Sequence, residues 1–159
     1  VRRLLIGVGN TFRRDDGVGP AVAAEVARLG VDELDVVSVP GEPTAILDAW
    51  TGARVAVVVD AALGADSSPG RIRRWTPGAF AASPATSSHG FGLAQTYELG
   101  RALDRLPGSV VVVTVDIVDA GLGLGLSAPV AAAVPHAVSA VLAEFGINRR
   151  GDLRPTTGD

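Results

Sequence analysis

The sequence predicts an α/β protein, a three-layer α/β/α sandwich around a five-stranded, mostly parallel, twisted sheet. Three observations predict it. Apolar runs of strand length alternate with segments of helical period, the order expected of α/β layering. Two of the runs, within Arg54–Val59 and Ser109–Val115, are nearly unbroken valine, as suits central strands buried on both faces. The chain has 159 residues, 47% of them hydrophobic. A single core typically spans roughly 100–200 residues, so one domain over residues 1–147 is expected.

Taken in order, Leu4–Val8 is a short apolar run with polar flanks and reads as the first strand. Gly17–Leu29 reads as a helix, because Val18, Val22, Val26 and Leu29 recur at spacings of four, four and three. Leu34–Val39 is the second strand, and Thr44–Trp50 a short helix after Pro43. Arg54–Val59 is the third strand, with Asp60 capping its end. Gly70–Trp75 partly alternates and reads as an edge strand, with Arg71, Arg73 and Arg74 on a solvated face around Ile72. Gly92–Leu106 is helical and Ser109–Val115 is another buried strand. The last helix runs from Ala128 to Phe145, with Val130, Val134, Val138, Val141, Leu142 and Phe145 on one face and His136 opposite. Pro135 removes one backbone bond there, predicting a kink or a two-piece helix. Residues 148–159 are polar, contain Pro and Gly, and read as a mobile tail.

Composition excludes whole reaction classes. There is no Cys, no Met and no Lys; all 14 basic residues are Arg. Thiol nucleophiles, disulfides, Cys-built metal sites, Schiff bases and a Walker lysine are therefore excluded. His89 and His136 are the two histidines, too few for a three-His zinc site. The net charge of −3, with no sustained basic face, argues against a nucleic-acid partner. No window reaches the ~18 uncharged apolar residues of a membrane span. Val1–Gly9 faintly resembles a leader, but Arg13, Arg14, Asp15 and Asp16 follow and no small-residue cleavage site appears. A cytoplasmic protein is expected.

In open α/β sheets ligands bind beyond the carboxyl ends of the strands. That rule selects Gly7–Asn10 leading to Asp15-Asp16-Gly17-Val18-Gly19, then Asp60 after the third strand, then His89 before the third helix. With the strands side by side, Asp16, Asp60 and His89 converge on one crevice. Asp15 and Asp16 also precede a helix, where a carboxylate can cap free N–H groups; Asp60 can cap the turn after its strand and Ser88 the helix that follows it. The glycine loop does not match G-x-G-x-x-G, and its carboxylates would repel a pyrophosphate. No G-x-S-x-G elbow surrounds Ser87 or Ser88, so a triad hydrolase is weakly supported. Two carboxylates and an imidazole suit a divalent ion such as nickel or zinc, with coordination positions left open.

On these residues the chain resembles the maturation endopeptidases of nickel–iron hydrogenases. Leu5-Ile6-Gly7-Val8-Gly9-Asn10, a short spacer and Asp15-Asp16-Gly17-Val18-Gly19 are similar to the family's N-terminal block. Asp60-Ala61, Ser88-His89 with Gly92-Leu93, Val115-Asp116-Ile117 and Gly125-Leu126-Ser127 resemble later blocks, so the likeness runs from Leu4 to about Phe145. It implies a peptidase domain of the same sandwich fold that removes a C-terminal extension from the hydrogenase large-subunit precursor after nickel insertion. It also implies Asp16, Asp60 and His89 as metal-contacting and catalytic residues; some members carry Glu where this chain has Asp16. Nickel would be presented by the substrate, with no organic cofactor, no nucleic acid and no membrane, and with the chain acting as a monomer. In a variant of this scheme Asp16 and Asp60 form an aspartic-type pair activating water and the metal serves docking alone. Gly41 and Glu42, after the second strand, are further cleft candidates. The competing readings are a non-catalytic metal-sensing module on the same fold and a metal-dependent hydrolase of a small amide.

Overall fold

The computed structural model describes residues 2–76 and 90–147. Five strands form one sheet: β1 (Arg3–Val8), β2 (Leu34–Val39), β3 (Val55–Ala62), β4 (Ile72–Trp75) and β5 (Ser109–Asp116). Their order is β2-β1-β3-β5-β4. The first four neighbours pair in parallel and β4 runs antiparallel to β5. The helices among the described residues are α1 (Val18–Arg28), α2 (Pro43–Trp50), α3 (Gly90–Ala102) and α4 (Ala128–Glu144). A 3-10 turn, Arg14–Gly17, precedes α1.

Side-chain alternation along the strands divides the core into two apolar layers. Leu5, Val57, Val59, Val111 and Val113 face α1 and α4, meeting Val18, Val22, Val138 and Val141. Leu4, Ile6, Val8, Ala56, Val58 and Val112 face the other way, onto Ile46, Leu47 and Trp50 of α2 and Leu93 of α3. β1 and β3 are buried almost throughout, whereas edge strand β2 is half-exposed. The sandwich predicted from the valine runs is the one observed.

Several boundaries differ for physical reasons. β3 does not stop at Val59; Asp60 lies inside it, opposite Thr114 of β5, and pairing continues to Ala62 opposite Asp116. α3 ends at Ala102, where Asp104 takes a left-handed φ of 54°, and Leu106 packs back against Gly100. α4 is a single unbroken helix across Pro135, so the two-piece alternative is incorrect. Its face packs on the sheet at both sides of the proline, through Val130, Ala133, Ala137 and Val138, which outweighs one lost backbone bond. His136 is exposed, as expected of the face opposite the core. The arginines of β4 are not a merely solvated face. Arg71 and Arg73 turn onto buried Asp116, at 2.9 and 3.0 Å, while Arg74 pairs with Glu144 of α4. Among the described residues no helix is long and apolar enough to cross a membrane. The tail expected over 148–159 lies outside them.

Candidate functional site

Two close approaches place α1 against the sheet. A Cβ at Gly19 would stand 2.4 Å from the Val8 carbonyl oxygen and 2.6 Å from that of Val59. A Cβ at Gly7 would stand 2.5 Å from the Gly19 carbonyl oxygen. Glycine at both positions lets the first turn of α1 rest on the carboxyl ends of β1 and β3. The 3-10 turn just before it lies within 8 Å of β3, measured between Cα atoms. Asp16, in that turn, and Asp60, near the end of β3, are thereby brought to the same end of the sheet.

Both are buried, Asp16 at 2% and Asp60 at 0% exposure. The Asp16 carboxylate accepts a hydrogen bond from the Asn10 backbone N–H at 2.9 Å, closing the loop between β1 and the turn. The Asp60 carboxylate accepts one from the N–H of Ala61 at 2.8 Å. Asp60 is in phase with Ala56 and Val58, so it belongs to the sheet face that α2 and α3 cover. His89, the remaining predicted site residue, lies outside the described residues, as do Ser87 and Ser88. α3 begins at Gly90, the next residue along the chain, on the face to which Asp60 belongs. The Gly41 carbonyl also approaches this helix start, 2.9 Å from where a Cβ on Gly92 would be. The loop carrying Gly41 and Glu42 thus reaches the first turn of α3. Among the described residues no group of three His, Cys, Asp or Glu side chains is arranged to hold a metal ion.

Asp15 does not cap its helix, as the sequence allowed; neither the turn nor α1 has a side-chain cap. It accepts hydrogen bonds from the Ser127 N–H (2.6 Å), the Ser127 hydroxyl (2.8 Å), the Asp119 N–H (3.1 Å) and the Val118 N–H (3.3 Å). Burial pushes this carboxyl up, but the donors of Ser127, Asp119 and Val118 outweigh it and hold its pKa below the ordinary 3.8. The turn bearing Asp16 is in this way fastened to the loop after β5. Asp116 is a further fully buried carboxylate at this end, paired with Arg71 and Arg73 and accepting the Ser68 N–H at 3.0 Å. Sequence reasoning placed it in a family-like block, Val115-Asp116-Ile117, without giving it a role, although it ends a valine run just as Asp60 follows one.

The candidate site therefore lies at the carboxyl end of a parallel sheet, where the carboxylates of Asp16, in the turn after β1, and Asp60, near the end of β3, are both buried. Such oxygens can hold a divalent cation, or take a proton from water.

A hydrogenase maturation protease family profile, HycI, matches residues 27–144. No curated protein matches the chain significantly. Several solved structures share its fold, three of which follow. The hydrogenase maturating endopeptidase HybD from E. coli has a TM-score of 0.77 at 22% identity, covering 92% of this chain and 94% of its own. The hydrogenase maturation protease HybD from Thermococcus kodakarensis has 0.76 at 24%, covering 93% and 100%. HycI from Thermococcus kodakarensis KOD1 has 0.67 at 19%, covering 91% of each.

Proposed function

Because the chain belongs to the hydrogenase maturation protease family, we propose that it removes the C-terminal extension of a nickel-loaded nickel–iron hydrogenase large-subunit precursor. The observation that carries this reading is the burial of Asp16, in the turn after β1, and Asp60, near the end of β3, at the same end of the sheet. Burying a carboxylate costs free energy, and such buried acids concentrate where chemistry needs them.

In this mechanism Asp16, Asp60 and His89 reach the nickel that the precursor already holds through its own thiolates. Nickel in the substrate would supply Lewis acidity toward a carbonyl or a water. The chain does the rest. Asn10 N–H keeps the Asp16 carboxylate aimed from its loop, and the sheet holds Asp60 rigidly opposite Thr114. One of the two carboxylates takes a proton from the attacking water as its oxygen bonds to the scissile carbonyl carbon. The C–N bond then breaks and the proton passes to the departing amine. The protein works as a monomer in the cytoplasm, where the precursor is matured.

Mass spectrometry of a nickel-loaded precursor incubated with the protein tests the reading. Wild type is expected to shorten the precursor at its C-terminus, and Asp16→Ala, Asp60→Ala and His89→Ala to slow this by at least about 100-fold. An intact tail after incubation with wild type sinks the protease reading for that substrate. Wild-type rates in both Asp60→Ala and His89→Ala would sink the site assignment alone.

A further inference from the structure

The loops after β1 and β5 are laced together. Gly123 N–H donates to the Phe12 carbonyl (2.8 Å), and Arg14 N–H to the Gly123 carbonyl (3.0 Å). The side chains of Arg13 and Arg14 donate to the carbonyls of Ala120 (3.1 Å) and Leu122 (3.3 Å). Arg14 is held at a left-handed φ of 47°, a conformation costly for a side-chain-bearing residue. This lacing exposes large apolar groups. Leu122 (84%), Leu124 (72%), Phe12 (68%) and Val118 (55%) are the four most exposed large apolar side chains among the described residues. All four come from these two loops.

The patch adjoins the loop that carries Asp16. Asn10 links the two: its N–H donates to Asp16, and its side-chain oxygen accepts the N–H of Phe12 at 2.9 Å. Arg13 lies in the same loop, exposed and with no ion pair among the described residues. An exposed apolar patch beside the candidate site, flanked by a cation with no ion pair among the described residues, is the anatomy of a protein-docking face.

We propose that Phe12, Leu122 and Leu124 form the docking face for the folded body of the precursor, meeting an apolar patch there beside an acidic group that pairs with Arg13. This rests on the reading above, in which the substrate is a folded protein.

The test is steady-state cleavage of the nickel-loaded precursor by Leu122→Ser/Leu124→Ser, by Phe12→Ser and by Arg13→Glu. Binding of the same precursor and self-association of the enzyme are measured alongside. Exposed positions leave the fold intact, checked as an unchanged Tm. The serine variants are expected to raise KM about tenfold with kcat unchanged. Arg13→Glu should raise it at low salt and lose the effect at high salt. Wild-type KM in all three variants overturns the proposal. So does a dimer of the wild-type chain that the serine substitutions dissociate without changing KM. A wild-type enzyme that binds the precursor through this face yet leaves it uncut sinks the protease reading and supports the docking face. No binding at all overturns both.

Discussion

At Asp15 a carboxylate with 0% exposure is surrounded by four donors from residues more than 100 positions away. Removing it leaves three backbone N–H groups and a hydroxyl without their acceptor. Asp15→Ala should therefore cost about 2–4 kcal/mol, measured by urea unfolding. The pH dependence has a definite sign. A carboxyl whose folded pKa lies below its unfolded value of 3.8 contributes its full stability above pH 3.8. That contribution is lost as pH falls through the folded value. Wild type should thus lose stability more steeply below pH 3.8 than Asp15→Asn, and parallel curves would contradict the assignment. The local sequence points elsewhere, to a helix cap, because acid before a helix is ordinarily a cap. Partners at the far end of the chain leave no mark on the residues beside Asp15. Asp16 and Asp60 were legible because the end of a parallel strand is a local feature.

Among the elements, α1 and the sheet meet with almost no space between them. Gly19→Ala would drive a methyl into the carbonyls of Val8 and Val59, backbone atoms that cannot swing aside. The expected destabilisation is about 2–3 kcal/mol, seen in thermal or urea unfolding, and peptidase activity should fall with it because Asp16 rides on the same segment. Helix α1 was legible from its valine spacing, since burial of one face imposes that period. The depth of the helix against the strands was not, because periodicity carries no information on interaxial distance. The roles of Arg71 and Arg73 were hidden for a related reason. On a four-residue strand the alternation is too brief to separate a solvated arginine from one turned onto a carboxylate of the next strand.

For the molecule as a whole, what the chain lacks has mechanistic weight. With no Cys, no Met and two His, it has few groups able to hold nickel by itself. The proposed recognition then depends on metal delivered by the precursor. Nickel-free precursor should be cleaved at least about 100-fold more slowly than the loaded form, since a Lewis acid contributes several kcal/mol to the transition state. Mass spectrometry of both forms against one enzyme preparation checks this, and equal rates would remove nickel from the mechanism. The layered architecture was readable because five apolar runs and their intervening helices each carry their own period. The exposed rim was not. Leu122 and Leu124 lie in a stretch of Gly and Leu that composition alone cannot distinguish from core, and only the main-chain lacing to Phe12 reveals them as surface.

The latch between Asp15 and Ser127 spans 112 positions. During synthesis the N-terminal half emerges long before Ser127 does, and for that interval the turn bearing Asp16 lacks its fastening. A nascent or prematurely terminated chain has both aspartates and the Asn10 contact to Asp16, but lacks the four donors that fasten the turn through Asp15. If Asp16 and Asp60 do the cutting, competence is then expected to arrive late, with the loop before the final helix.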